Sequence, residues 1–180
     1  MNEEAVGRIL RESFPEVDAN DPVAYVSELG DTAQALAYSY LFWPRLMEFE
    51  GAVFLCLWGD DEAHIRERMV TPAPGGSRAP LSWADAVDGY NYFELQEMFR
   101  MIRGTGENNE AAARELGAVL VESWRARLAT AYPVRMFRVE LVAPDESMGW
   151  CVAVAQELPE LVPPAGWNPR RRAITGDSGS

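Results

Sequence analysis

Residues 45–58 read Arg45-Leu46-Met47-Glu48-Phe49-Glu50-Gly51-Ala52-Val53-Phe54-Leu55-Cys56-Leu57-Trp58. In the first half Met47 and Phe49 alternate with Glu48 and Glu50, the period of a half-exposed strand over 46–50. Gly51 punctuates the run. From Ala52 to Trp58 every residue is apolar, so a second strand needs cover on both faces and belongs inside a sheet. A second strand pair is expected downstream. Arg135, Phe137, Val139 and Leu141 alternate with Met136, Arg138, Glu140 and Val142, and Pro144-Asp145-Glu146-Ser147 makes the connection. Gly149 to Glu157 then returns with Trp150, Val152 and Val154 on one side and Cys151, Ala153 and Ala155 on the other. The small side would admit a closely packed helix.

Helical signals fill the rest of the chain. Val6, Ile9, Leu10 and Phe14 repeat at helical spacing over 3–14, and Pro15 stops that run. Asp21-Pro22 caps and opens a helix closed by Gly30. Asp31 or Thr32 caps a third, to about Leu41, broken by Phe42-Trp43-Pro44. Asp60-Asp61-Glu62 opens a helix over Ala63–Val70, and a Pro/Gly-rich loop covers 71–80. Ser82 caps a short helix through Val87, with a turn at Asp88-Gly89. The stripe Leu95, Met98, Phe99 and Ile102 predicts a helix over 92–103, broken by Gly104-Thr105-Gly106. The longest helix starts at Asn108 or Asn109 and reaches Tyr132 on the stripe Leu116, Val119, Leu120, Trp124 and Leu128. Strand runs separated by helix runs imply an α+β fold. The expectation is a single domain over 1–158, with a roughly four-stranded, mainly antiparallel sheet packed with several helices. Residues 159–180 form a Pro/Arg/Gly/Ser-rich tail, expected to be partly disordered or wrapped over the surface.

Charge narrows the function. The 180 residues include 28 acids and 16 bases, a net charge of −12, and 48% are apolar. Phosphate binding needs clustered positive charge, so naked nucleic acid and anionic membrane surfaces are disfavoured as partners. Every basic residue is Arg. Without Lys there is no Schiff-base chemistry, no P-loop Lys and no Lys general base. One His and two Cys do not make a Cys/His zinc site, leaving only carboxylate sites for Mg or Ca, and no metal or cofactor is expected. The opening Met-Asn-Glu-Glu-Ala lacks the features of a secretory signal, and no apolar stretch approaches the ~20 residues of a spanning helix. Cys56 and Cys151 read as small buried hydrophobes in a reducing compartment, so a cytoplasmic location is expected.

Several constellations invite a chemical reading. Gly176-Asp177-Ser178-Gly179 resembles the string around the nucleophile of trypsin-like serine proteases, and His64, Asp88 and Ser178 follow the same chain order. That nucleophile sits deep in a two-barrel β fold, whereas Ser178 lies in a tail after largely helical elements, so the string is not read as a triad. His64 follows Asp60 by four positions, with Glu67 one turn on, the spacing of a base and its orienter on one helix face. This is the alternative, enzymatic reading: a small hydrolase using His64 with Asp60 or Glu67. Glu48 and Glu50 share a strand face, where Arg135 or Arg138 are candidate counter-charges. The aromatic residues are assigned to the core, with Tyr90, Tyr92 and Trp167 placed near turns or in the tail as candidate exposed rings.

Residues 1–62 carry 13 acids and 3 Arg, net −10, and residues 63–180 carry 15 acids and 13 Arg, net −2. A one-sided field steers an oppositely charged partner. The leading expectation is therefore a non-catalytic protein-binding domain for a basic protein. Its composition is immunity- or inhibitor-like, though no motif carries that likeness. Glu48, Glu50, Asp60, Asp61 and Glu62 are the expected contact residues. A structural subunit of a larger assembly is the remaining alternative.

Overall fold

A computed structural model describes residues 1–17, 21–70, 80–99, 105–170 and 173–174, with backbone alone at 68, 70 and 173. Three helices come first: α1 (Glu3–Ser13), α2 (Pro22–Leu29) and α3 (Thr32–Phe42). Each begins on a short polar side chain that accepts from a backbone N–H three residues on: Asn2 from Ala5, Asp21 from Ala24 and Asp31 from Gln34. A hairpin follows, β1 (Arg45–Phe49) and β2 (Ala52–Cys56), then α4 (Glu62–Val70), α5 (Trp83–Tyr90), β3 (Tyr92–Glu94) and α6 (Leu95–Met98). The chain continues through the 26-residue α7 (Gly106–Ala131), β4 (Met136–Val142), β5 (Cys151–Leu158) and the two-residue strands β6 (Trp167–Asn168) and β7 (Ala173–Ile174).

All five residues of β2 are buried, as a strand apolar on both faces requires. Its side chains divide between two cores. Val53 and Leu55 join Phe93, Leu120, Trp124, Leu128, Val139, Val152 and Val154 in the core under α7. Ala52, Phe54 and Cys56 join Phe49, Ile65, Met69, Trp83, Val87 and Tyr90 in the core under α4 and α5. Phe54 is the hub of the second, with Tyr90 edge-on at 5.0 Å and Trp83 at 6.4 Å between ring centroids.

The expected four-stranded sheet is corrected to two sheets. β1 pairs antiparallel with β2, and β3–β5–β4 forms an antiparallel triplet. Asn91 is the reason. It follows α5 and sits, 1% exposed, between β2 and β5. Its main-chain oxygen accepts from Val154 N at 3.1 Å. Its side-chain amide donates to Val53 O at 2.8 Å and accepts from Leu55 N at 3.0 Å. The side chain on β2 and the main chain on β5 thus stand where a ladder would have joined the hairpins, and Val53 O, Leu55 N and Val154 N are satisfied there.

Three further expectations change. Glu50 is not in a strand: with Gly51 it forms the hairpin turn, at φ 48° and 76°. Two consecutive positive φ values are what a two-residue hairpin demands. The helix read over 92–103 is instead β3 and the short α6. Tyr92, Phe93 and Glu94 pair with Ala153, Val152 and Cys151, which outweighs the local helical stripe. Arg100–Arg103 and Gly104, like most of the loop read over 71–80, lie outside the described residues. The turn at Asp88-Gly89 lies inside α5, which runs on to the buried Tyr90.

In the tail, Leu161, Trp167 and Ile174 pack against the second core. The Trp167 ring stands edge-on to Trp83 at 5.1 Å. The Gly-Asp-Ser-Gly stretch, Ser178 included, lies outside the described residues. No described helix is long and apolar enough to cross a membrane.

Candidate functional site: acidic surfaces and an uncovered helix

The expected contact residues have separate fates. Glu48 leaves β1 toward Arg135, whose Nη2 donates to it at 2.5 Å. Arg135 is also held over the Tyr132 ring at 4.9 Å, so Glu48 is part of a fixed ion pair. Glu50 is exposed on its turn. Asp60 is 6% exposed and accepts from Tyr90 Oη at 2.5 Å. This buried bond ties the start of α4 to the end of α5, and it removes Asp60 from any outer contact face. The sequence reading missed it because Tyr90 is 30 positions away.

Asp61 takes the role read for Asp60. Its Oδ1 accepts from His64 N at 2.9 Å and meets His64 Nδ1 at 2.8 Å. The His64 backbone N–H is the chief reason that Asp61 titrates below the usual carboxylate range. His64 itself is exposed, its side chain at 62%. The pair caps a helix at the surface, so the acid–imidazole contact is made with the residue at i−3. Glu62 pairs with Arg66 at 3.0 Å along α4, and Glu67 is exposed on the same helix. Among the described residues no cluster of three or more His, Cys, Asp or Glu is arranged to hold a metal. Cys56 and Cys151 are both free and buried.

The acids of the first three helices form the larger surface. Glu3, Glu4, Glu12, Glu16, Asp21, Glu28 and Asp31 are all exposed. Arg8, paired with Glu12 at 3.7 Å, and Arg11 are the nearby bases on α1. No basic residue occurs between Arg11 and Arg45. The acidic first third was visible in the charge count. Its centre lies earlier in the chain than residues 48–62, where four of the five acids already have partners.

A groove of about 230 Å³ lies on the outer face of the β3–β5–β4 sheet, lined by Asp88, Gly89, Tyr92, Arg138, Glu140 and Ala153 among others. This is the small side of β5, approached by the C-terminal end of α5. Arg138 pairs with Glu140 beside it and with Glu157 at 3.4 Å, so its charge is committed within the sheet. Burial raises the Asp88 carboxyl, with Arg138 acting in the opposite direction. Burial also pushes the Tyr92 hydroxyl up to about 12, and raises the Cys151 thiol. A thiol raised in this way is a poor nucleophile at neutral pH.

The aromatic assignments also change. Tyr90 is buried and Tyr92 and Trp167 are partly covered. The exposed rings lie elsewhere: Tyr38 at 49% and Tyr40 at 67% on α3, Trp43 at 48% just past its end, and Trp58 at 56%, which lies beyond the end of β2 at Cys56 and outside the cover expected for the whole run 52–58. No residue of α3 is buried.

The geometry defines a mixed α+β domain with two cores, an acidic helical layer and an uncovered apolar helix. Compared with known proteins, the chain matches no family model, no curated protein and no solved structure.

Proposed function

We propose that this chain is a non-catalytic protein-binding domain that recognises a basic protein. The observation that supports it most is the exposed acidic layer of α1, α2 and the start of α3, with no basic residue from position 12 to 44. Fields of this kind accelerate encounter with a cationic partner and fix its approach. Of the residues expected at the contact, Glu50 and Asp61 are exposed, and Glu48 and Glu62 are members of ion pairs. The exposed setting of His64, which is not among the residues lining the groove at Asp88 and Arg138, favours this reading over hydrolysis.

The test is capture from the native cell at low and high salt, followed by titration of the purified captured protein. Replacing Glu16, Glu28 and Glu50 together by Gln keeps the backbone and removes three exposed charges. Binding should weaken by about tenfold, chiefly through a slower on-rate, and the salt dependence should flatten. Binding indifferent to both salt and the triple substitution would reject the proposal.

A further inference from the structure

Helix α3 reads Thr-Ala-Gln-Ala-Leu-Ala-Tyr-Ser-Tyr-Leu-Phe, without one charged residue. It is attached to the body at its C-terminal end, where Leu41 and Phe42 pack on the first core and Trp124 Nε1 donates to Leu41 O at 2.8 Å. Leu36, Tyr40 and Trp43 stand at i, i+4 and i+7, one stripe of large apolar side chains, and are 65%, 67% and 48% exposed. An uncharged helix of 11 residues is marginal by itself in water, and a stripe of this kind is the seam of a helix pair.

The charges at the ends of the stripe indicate which partner it fits. Asp31 is at the N-terminal end, exposed, with Glu28 a turn before it. At the C-terminal end Arg127 from α7 holds Pro44 O at 3.1 Å, with its guanidinium 5.4 Å from the Trp43 ring centroid. The exposed Arg45 follows. One end is negative and the other positive, with no charge between. This pattern complements itself when reversed. Two antiparallel copies of α3 would bring Asp31 of each to the Arg127 and Arg45 end of the other, oppose the helix dipoles, and place Leu36 against Trp43 with Tyr40 facing Tyr40 at the axis. A uniformly basic partner would meet Arg127 and Arg45 at one end.

We propose that α3 is the two-fold interface of a homodimer. The helix is only about 16 Å long, and the contact is smaller than that of a permanent dimer. Self-association weaker than about 1 µM is expected, opposed at low salt by the net charge of each copy. The proposal does not rest on the basic partner, although Glu28 and Asp31 belong to both surfaces; the apolar stripe itself carries no acid for that partner to meet.

Sedimentation velocity over a concentration series reads the dimer directly. Tyr40→Glu would set two carboxylates face to face at the axis and should leave only monomer, with an unchanged circular dichroism melt because the site is exposed. Asp31→Asn keeps the helix cap and removes the end charge, and should weaken the dimer several-fold. Under mild oxidation Tyr40→Cys should form a covalent dimer, whereas Leu36→Cys should not, its counterpart across the axis being Trp43. A wild-type monomer up to about 1 mM would overturn the proposal. So would association that survives Tyr40→Glu, or equal cross-linking of the two cysteine variants.

Discussion

Asn91 shows how much one side chain can decide. Between a helix and an apparent helix, an Asn in sequence reads as turn chemistry. In the fold it is buried, its side chain bonded twice to β2 while its main-chain oxygen accepts from β5. Its role was not legible because Val53 and Leu55 are 38 and 36 positions away. Replacing Asn91 by Ala would orphan the Val53 carbonyl and the Leu55 N–H in a dry interior. At roughly 1–3 kcal/mol for each buried unsatisfied group, the total cost should be about 2–6 kcal/mol. Urea unfolding followed by tryptophan fluorescence measures this. A loss below about 1 kcal/mol would mean that water or main chain had taken over the amide's role. Asn91→Asp keeps the shape but loses the donor and brings in a charge, so it should fare no better than Ala. The acid that holds Tyr90 illustrates the same limit on sequence reading. Asp60 and Asp61 are indistinguishable by composition, yet one is buried and the other caps α4.

At the scale of elements, legibility followed the locality of the cause. The hairpin β1–β2, the caps of α2 and α3, and the body of α7 rest on periodicity and neighbours a few residues away, and all were readable; α7 starts earlier than expected, at Gly106 with Thr105 as its cap, in the stretch read as a break. β3 was not, since its three residues are strand only by pairing with β5. Helix α3 was recognised as a helix, and its rings fell under the general assignment of aromatic residues to the core. Its composition is that of a buried element, and nothing local records that it is left uncovered. Packing between α7 and the sheet turns on a small residue within the helix. A Cβ on Gly117 would run into Leu141 and come within 2.9 Å of Leu95 Cδ1. Gly is otherwise a poor choice in mid-helix, by about 1 kcal/mol against Ala, so the close approach explains its presence. Gly117→Val should overpack this layer and cost about 1–3 kcal/mol, lowering the thermal midpoint by several degrees. Gly106→Ala, at the first turn of the same helix and in open space, is the control and should change stability by less than about 0.5 kcal/mol. Equal melting of the two variants would show that α7 can shift at no cost.

The whole molecule is a body of two cores to which a strongly acidic helical layer is tied at few points, and its response to pH should follow from those ties. One tie is a partly buried hydrogen bond from a main-chain N–H to a carboxylate. Glu115 on α7 accepts from the backbone N–H of Asn2 at 2.7 Å and from Arg114 at 3.0 Å. The Asn2 N–H is the main reason that its carboxyl titrates below the ordinary value of 4.5. A carboxylate with a depressed pKa in the fold contributes stability that is complete above its unfolded value and is lost as the pH falls through its folded value. Asp88 has the opposite sign: burial raises its carboxyl, so protonation on the way down from neutral relieves a cost. Mild acidification should therefore first leave stability level or slightly improved. The fall comes below pH 4.5, where Glu115 takes up a proton and its bond to Asn2 weakens. Glu115→Gln isolates this contribution. At pH 7 it should cost about 1–3 kcal/mol, the worth of a hydrogen bond to a charged group. The deficit against wild type should shrink as pH drops below 4.5, because wild type loses the same charge there. Urea midpoints for both proteins between pH 7 and pH 3, with amide exchange of α1 as a local readout, decide the matter. A deficit that stays constant across the range would place the role of Glu115 in packing, and the acid sensitivity of the helical layer would then need another source.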